Sequence, residues 1–215
     1  MLSDDRIEEL FRRLQARAPK GPRRPHVKED ADYFRALVSC LLSAQSRDAN
    51  TARAKTALFA LADTPETILA LPDAAVARAI RPAGLYNMKT RNLKRLCRAL
   101  IDKHDRVVPR DRRGLMSLPG IGRKCADIML LFSFGEATIA VDTHVHRVCN
   151  RTGLAHGRAE AQTAASLDAR APDWAKRDGH LWLLEFGKRV CTSRAPKCPT
   201  CFLNDLCEAR LSGRI

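Results

Sequence analysis

The sequence predicts an all-α fold, and three observations support that fold class. Apolar residues recur at helical spacing, as Ile7, Leu10, Phe11 and Leu14 do near the N-terminus, where such positions share one face of a helix. No run that alternates apolar and polar residues is long enough to predict a strand. The connections between the periodic segments are short and contain proline, glycine or serine, residues that end helices and form turns.

The predicted helices follow one another along the chain, and several are bounded by a turn or a capping residue. Ser3 is a candidate N-cap for the first helix, with two aspartates behind it. The next predicted helical segments, in order, are 34–42, 49–61, 64–71, 73–80, 88–104, 111–118, 125–134, 143–148, 159–169 and 174–190. Consecutive apolar residues at 128–132 predict a central helix that is buried all round. Three prolines within 18–25 predict a linker instead.

Length and charge limit the kind of protein this chain can be. Its 215 residues suffice for one large domain or two small ones. Lys and Arg number 38 against 24 Asp and Glu, for a net charge of +14. This excess predicts a polyanionic partner, foremost nucleic acid, although a generally basic proteome is the alternative. The N-terminus has no signal-peptide apolar stretch, and no apolar run approaches the ~18 residues that span a bilayer. We therefore expect a soluble, cytoplasmic, nucleoid-associated protein.

The eight cysteines fall into two groups. Cys40, Cys97, Cys125 and Cys149 are scattered through apolar helical patterns, which predicts buried structural thiols. Disulfides are rare in a reducing cytosol. The other cysteines lie close together near the C-terminus, and their spacing requires a different explanation.

The second group has the spacing Cys191-x6-Cys198-x2-Cys201-x5-Cys207. Four thiolates this close in sequence can enclose one metal centre. Structural zinc sites usually pair two C-x-x-C units, or cysteine with histidine, across a longer loop. This array is compact and contains a single C-x-x-C unit. It therefore favours a 4Fe-4S cluster over zinc or unligated thiols, because such clusters are held by four cysteine thiolates.

The loop between the first two of these cysteines is basic. It carries Arg194 and Lys197. A small basic loop that a cluster holds in place is suited to contact a phosphate backbone. A solvated surface loop is the alternative.

A second concentration of unusual residues is the stretch Leu118-Pro119-Gly120-Ile121-Gly122-Arg123-Lys124. Proline fixes φ, and the two glycines permit backbone angles that other residues resist, so the stretch predicts a tight hairpin. An apolar helix follows it, which places Lys124 in the first turn of that helix. The free N–H groups at such a helix start attract an anion.

Lys124 and Asp142 can also be given a chemical role. A lysine amine is a nucleophile only when it is neutral, and burial or neighbouring positive charge favours the neutral form. A nearby carboxylate can take its proton or stabilise a developing cation. Asp142 follows an apolar segment and precedes a helix. The alternatives are a phosphate clamp for Lys124 and a helix cap for Asp142.

Five motifs, in this order, resemble the endonuclease III family of helix–hairpin–helix DNA glycosylases. They are Leu41-Leu42-Ser43-Ala44-Gln45, Gly84-Leu85-Tyr86-Asn87, the stretch from Leu118 to Lys124, Val141-Asp142-Thr143-His144, and the four-cysteine array. Together they cover nearly the whole chain from about Ala31 onwards. The similar mismatch-adenine glycosylases lack the hairpin lysine, so Lys124 indicates a glycosylase that also has lyase activity.

The resemblance implies a two-lobed helical fold and a bifunctional base-excision-repair enzyme that acts on oxidised pyrimidines in duplex DNA. A central domain, 25–138, would carry the hairpin, and 1–24 with 139–215 would form the iron–sulfur domain, with DNA and the active site at their junction. Lys124 would attack C1′ of the deoxyribose, and Asp142 would activate it. Base loss, a Schiff base and β-elimination would follow. The cluster would be structural, and the protein a monomer.

The resemblance also implies the DNA contacts. The implied DNA-binding residues are Gln45, Leu85, Gly120, Gly122, Arg123, His144, Arg194 and Lys197. Gln45 would fill the gap left by the flipped nucleotide, and Leu85 would wedge into the base stack. The alternatives without the family are a polar turn residue for Gln45 and a core leucine for Leu85. The glycines would present backbone amides to a phosphate, and His144 could equally be no more than a first-turn residue of its helix.

Some residues depart from the family pattern. Arg47 adds a charge beside the gap-filling site, Cys125 stands where a small hydroxyl residue is expected, and His146 adds a second imidazole near Asp142. These departures leave the rate and the lesion preference open. A glycosylase for mismatched thymine or for purines is therefore an alternative function, and so is a non-enzymatic, cluster-bearing DNA-binding protein.

Overall fold

The fold is given by a computed structural model, which describes residues 1–18 and 30–215. Within these residues the secondary structure is helical and contains no strand, so the predicted all-α class is confirmed. The α-helices of this part are α1 (Asp4–Arg17), α2 (Asp30–Ser43), α3 (Asp48–Phe59), α4 (Pro65–Ala70), α5 (Asp73–Ile80), α6 (Tyr86–Lys103), α7 (Arg112–Ser117), α8 (Arg123–Phe132), α9 (Thr143–Thr152), α10 (Glu160–Arg170), α11 (Asp173–Arg189) and α12 (Glu208–Leu211). Short 3₁₀ helices form at Arg81–Ala83 and Cys198–Thr200.

The ends of several helices differ from the prediction. Helix α3 ends at Phe59 rather than at 61, and α6 begins at Tyr86 rather than at 88. Helix α8 begins at Arg123, which places Lys124 in its first turn, as predicted. Apart from Ala18, the predicted linker at 18–25 lies outside the described residues, and so does the domain limit within it.

The chain divides into two units. The first, here called the hairpin unit, is described over residues 30–134. Its core is formed by the apolar faces of α2, α3, α5, α6 and α8, and it includes the fully buried Leu37, Leu58, Leu93 and Leu96. Helix α8 is buried along most of its length. Within the run 128–132, which was predicted to be buried all round, Ile128 and Phe132 are only half-buried, so that prediction is confirmed in part.

The second unit, here called the cysteine unit, is described over residues 1–18 and 135–215. The predicted apolar face of α1 is buried in its core, where α1 packs on α11. A side chain at Gly179 of α11 would place its Cβ 2.9 Å from Ile139 Cδ1 and 3.2 Å from Phe11 Cε1. Glycine therefore allows these elements to approach closely. Helix α9 packs on α10, α11 and α12 in the same unit.

The predicted limits of the two domains are 25–138 for one and 1–24 with 139–215 for the other. These limits stay a prediction.

None of the helices in the described residues combines the length and the apolar character that a membrane span requires.

Candidate functional site

The hairpin that follows α7 is closed by a hydrogen bond from Ile121 N to Leu118 O at 3.1 Å. Gly120 has φ +83°, a left-handed conformation that favours glycine. Gly122 has φ −94° and is the N-cap of α8, a conformation open to any residue. The prediction that both glycines supply special backbone angles is therefore correct for Gly120 and wrong for Gly122.

Gly120 also fixes the position of the hairpin within its unit. A Cβ added there would lie 3.0 Å from Asn92 Cβ on α6 and 3.2 Å from Leu41 Cδ1 on α2. At Gly122 nothing lies within 4 Å of such a Cβ. The bend at Gly120 thus packs directly on the two helices that carry the other motifs of this unit.

Lys124 is the second residue of α8 and is half-buried. Its helix contacts α2 through Cys125, whose Sγ donates to Cys40 O at 3.4 Å. The hydrogen bond between the two thiols, together with burial, holds the pKa of Cys40 well above its ordinary value. Cys40 is therefore a protonated, structural thiol, as its scattered position in the sequence predicts.

Arg123, next to Lys124, takes part in a buried ion-pair group. Its Nε lies 2.9 Å from Asp127 Oδ2, and Arg112 Nε lies 2.7 Å from Asp127 Oδ1. The Asp127 side chain is fully buried. This group joins α7 to the start of α8 across the hairpin. The predicted phosphate contact of Arg123 stays a prediction.

Gln45 and Leu85 share an unusual backbone conformation. Their φ values are +50° and +47°, in the left-handed region that non-glycine residues rarely adopt. Both are exposed, and Leu85 retains 50% of its accessible surface. The alternative of a core leucine at Leu85 is therefore excluded. Backbone strain of this kind clusters at functional sites, and in the described residues it is shared by Asp105 and Arg106 in the turn after α6.

Helix α2 brings the motifs of the hairpin unit together. It ends just before Gln45, contacts Gly120 through Leu41, and contacts the start of α8 through Cys40. Helix α6, which begins after Leu85, touches the same hairpin through Asn92. Motifs far apart in the sequence are thus gathered on one pair of helices.

Asp142 lies in the cysteine unit and is the N-cap of α9. Its Oδ1 accepts hydrogen bonds from His144 N and Val145 N, both at 2.9 Å. The predicted capping role is confirmed. In the described contacts both bonds go to Oδ1, which leaves Oδ2 of the half-buried carboxylate for other chemistry.

The two histidines of α9 have different surroundings. His144 Nδ1 lies 3.3 Å from an Arg147 guanidinium nitrogen. His146 Nδ1 lies 2.8 Å from Thr163 Oγ1 and 3.2 Å from Asn150 Nδ2. Its ring is thus fixed against α10. The DNA contact predicted for His144 stays a prediction.

Two arginines on α9, which the sequence analysis did not single out, hold the cysteine loop. Arg147 donates to Cys191 O at 3.0 Å and to Gly187 O at 2.8 Å. Arg151 donates to Thr192 O at 2.7 Å and to Ser193 O at 2.9 Å. The signal in the sequence was a pair of arginines four residues apart, which share one helix face. Helix α9, which Asp142 caps, is therefore hydrogen-bonded to the loop that begins at Cys191.

The four clustered cysteines line one shared cavity. Those cysteines are Cys191, Cys198, Cys201 and Cys207, and all have free thiols. Within the described residues, no three or more His, Cys, Asp or Glu side chains are grouped to hold a single metal ion. A single cavity lined by four free cysteines suits a cluster held by four thiolates, so the residues fit an iron–sulfur centre.

Burial raises the pKa of both Cys201 and Cys207. Thiolates are the form that binds iron, and a bound metal deprotonates its cysteine ligands outright. Burial thus disfavours the thiolate form at these positions, and a bound metal would supply the positive charge that stabilises it.

The basic loop between Cys191 and Cys198 is closed on itself. Lys197 N donates to Val190 O at 3.0 Å, and Thr192 Oγ1 donates to Ala195 O at 2.7 Å. Arg194 and Lys197 are both exposed. The loop thus presents two cations from an ordered backbone, as an anion-contacting loop requires.

Both the sequence and the fold are similar to those of known proteins. Residues 38–172 match the family model of the HhH-GPD superfamily of base excision DNA repair proteins, and residues 191–207 match the iron-sulfur binding domain of endonuclease III. Endonuclease III of Escherichia coli (strain K12) is 41% identical over 187 residues, which are 86% of this chain and 89% of that protein. Endonuclease III of Treponema pallidum (strain Nichols) is 38% identical over 207 residues, 96% of this chain and 97% of that protein. The structure of a trapped endonuclease III–DNA covalent intermediate has a TM-score of 0.87 and 34% identity, over 100% of both chains.

Proposed function

The chain belongs to the endonuclease III family of helix–hairpin–helix base excision repair enzymes, and we propose from this premise that Lys124 and Asp142 carry its chemistry. The protein is a DNA glycosylase with AP lyase activity. Its substrates are oxidised pyrimidines in duplex DNA. The observation that carries the assignment is the half-buried Lys124 in the first turn of α8. The start of this helix contacts α2, which leads to Gln45, and the hairpin before it contacts α6, which follows Leu85.

The reaction begins when a damaged base leaves the duplex stack, which costs a few kcal/mol and is easiest for weakened bases. The neutral Nζ of Lys124 forms a bond to C1′, and the electrons of the C1′–N glycosidic bond leave with the base. Opening of the sugar ring gives a Schiff base. Loss of a C2′ proton then expels the 3′ phosphate, and the strand is cut by β-elimination.

Asp142 accepts the lysine proton and stabilises the positive charge that develops on the sugar. Its Oδ1 is bound by two backbone amides, which fixes the carboxylate in one orientation. A capping carboxylate is therefore suited to hold a charge at a constant position during the reaction.

The DNA partner is held by the remaining predicted residues. Leu85 wedges into the stack and Gln45 occupies the vacated position, while the hairpin amides and the basic loop contact phosphates. The protein acts as a monomer on duplex DNA in the cytoplasm, at the nucleoid.

The protein carries the 4Fe-4S cluster of its family, and we place it on the four cysteines that share the cavity. When bound, the cluster would be held by the four cysteine thiolates and would cross-link the basic loop through them. Arg147 and Arg151 hold the same loop from α9 through backbone carbonyls. The chemistry at the sugar is assigned to Lys124 and Asp142.

Borohydride trapping tests the lysine assignment. Wild-type protein incubated with an abasic or thymine-glycol duplex should give a covalent complex on reduction of the Schiff base, and Lys124→Gln should give none. Lys103→Gln removes one exposed lysine from the last turn of α6, and should trap as wild type does. A trapped complex with Lys124→Gln would show that another amine is the nucleophile.

A panel of lesion duplexes tests the substrate class. Oxidised pyrimidines should be cleaved faster than mismatched thymine or modified purines. Preferential cleavage of a mismatch would assign the alternative base specificity. Absence of cleavage and of trapping with every duplex would leave a DNA-binding protein without catalysis.

A further inference from the structure

Lys89 is a buried lysine that the proposed mechanism does not use. It lies in the first turns of α6 and retains 2% of its accessible surface. Its Nζ donates to Leu42 O at 2.8 Å and to Ala83 O at 2.9 Å. Burial lowers the pKa of its amine. Burying an ammonium group costs desolvation free energy that an apolar side chain of the same size would not incur. A buried lysine at this position therefore needs a compensating role.

The two carbonyls that Lys89 binds both lie at the C-terminal end of a helix. Leu42 is in the last turn of α2, and Ala83 ends the 3₁₀ helix Arg81–Ala83. The last carbonyls of a helix have no partner within the helix and carry partial negative charge. A single ammonium group thus caps two helix ends at once.

Each of these helix ends leads directly into a turn that holds a non-glycine residue at positive φ. Gln45, with φ +50°, follows Leu42 by three residues, and Leu85, with φ +47°, follows Ala83 by two. The backbone N–H of Lys89 also donates to Leu85 O at 2.9 Å. Lys89 is therefore bonded to the segment before one turn and to both sides of the other.

We propose that Lys89 is a positioning residue that holds the Gln45 turn and the Leu85 turn at a fixed separation, so that both enter the base stack together. This inference rests on the proposed function of those two residues. In the proposed function one group separates the stack and another occupies the vacated space, so both act at the same base step. If the two turns were held independently of each other, Gln45 and Leu85 would no longer reach the same base step at a fixed separation.

The same helix provides a matched control. Lys94 of α6 donates to Leu69 O at 3.3 Å and also to Leu71 O, and its Nζ lies 2.9 Å from Asp73 Oδ1. It therefore also binds carbonyls at a helix end, that of α4, but neither of its partners leads into the Gln45 or Leu85 turn. Lys89→Met and Lys94→Met remove the same charge and the same donating group from one helix.

The readout is the ratio of AP lyase activity on an abasic duplex to that on the same abasic site in a single strand. A single strand has no opposing strand to replace, so it depends on Lys124 but not on concerted entry of the two turns. Hydrogen bonds to a charged group are worth enough to change an equilibrium about tenfold or more. Lys89→Met should lower the ratio by about that factor, and Lys94→Met should keep the wild-type ratio.

Equal ratios for wild type and Lys89→Met would overturn the inference, and so would an equal fall on both substrates, since that pattern marks damage to the whole unit. If Lys89→Met does not fold, Lys89→Gln, which keeps one donating group, is measured by the same ratio. Failure of the proposed function is a separate outcome, because wild-type protein would then form no borohydride-trapped complex on either substrate.

Discussion

Asp142 caps helix α9 in this structure and has a proposed role as the catalytic carboxylate, and paired substitutions can separate the two. Asp142→Asn keeps an oxygen in the position that accepts from His144 N and Val145 N. Asp142→Ala removes that acceptor. Because asparagine is as good an N-cap as aspartate, the two variants differ in stability but share the loss of the carboxylate.

The size of each effect follows from the contacts. Loss of an N-cap side chain costs about 1 kcal/mol, and loss of a negative charge at a helix N-terminus costs about 0.3–1 kcal/mol. Asp142→Ala should therefore lower the free energy of unfolding by about 1–2 kcal/mol, and Asp142→Asn by less than about 1 kcal/mol. Both should lower the rate of base release and strand cleavage by about 10²–10⁴-fold, as expected when a general base is removed.

The assay combines single-turnover cleavage of a thymine-glycol duplex with chemical denaturation of the same preparations. Thr64→Ala is the control, because Thr64 caps α4 by accepting from Thr67 N and has no part in the proposed chemistry. It should lose stability as Asp142→Ala does and keep wild-type activity. Near-wild-type cleavage by Asp142→Asn, with loss in Asp142→Ala alone, would refute the catalytic assignment and leave a cap.

Further predictions concern the hairpin, the cluster loop, the wedge and the partner. Gly120→Ala should lower the free energy of unfolding by about 1–3 kcal/mol in denaturant titration, because φ is positive there and the added Cβ would press on α2 and α6. Gly122→Ala should stay within about 0.5 kcal/mol of wild type, because its Cβ would meet nothing. Equal effects of the two substitutions would contradict the packing described. Arg151→Met should speed the loss of the cluster's visible absorbance in air, because two loop carbonyls lose their donor; an unchanged decay would mean that the cluster alone fixes the loop. Leu85→Ala should leave the melting temperature unchanged, since the side chain is half exposed, but should weaken lesion cleavage; a lower melting temperature would indicate a packing role. Duplex binding should weaken steeply with salt as Lys and Arg release counterions, and a flat response would contradict a phosphate-backbone partner.

Part of the candidate site can be predicted from residues that are neighbours in the sequence. The N-cap at Asp142 depends on residues within three positions, and the start of α8 at Lys124 depends on the glycines and apolar residues beside it. The spacing of Cys191, Cys198 and Cys201 likewise limits what one short loop can enclose. Such features are predictable because the interacting groups are neighbours along the chain.

The roles of the glycines and the basic residues required the tertiary structure. Gly120 and Gly122 are alike in the sequence, yet only the first bends against two distant helices. Lys89 is one of several cations in the helix that follows Leu85, and nothing local distinguishes it from an exposed lysine. Arg151 resembles any helix-surface arginine until its partners are known.

By itself, the sequence determined the all-α class, the helix that carries Lys124, the cap at Asp142 and the cysteine array, since periodicity, capping and spacing are local properties. The tertiary structure decided which polar groups are buried and what they bind. The Lys89–Leu42 bond joins residues 47 positions apart, and the Arg151–Thr192 bond joins residues 41 apart. The physical reason is that a buried donor must find an acceptor, and its partner is supplied by the packing of helices rather than by neighbours in the chain.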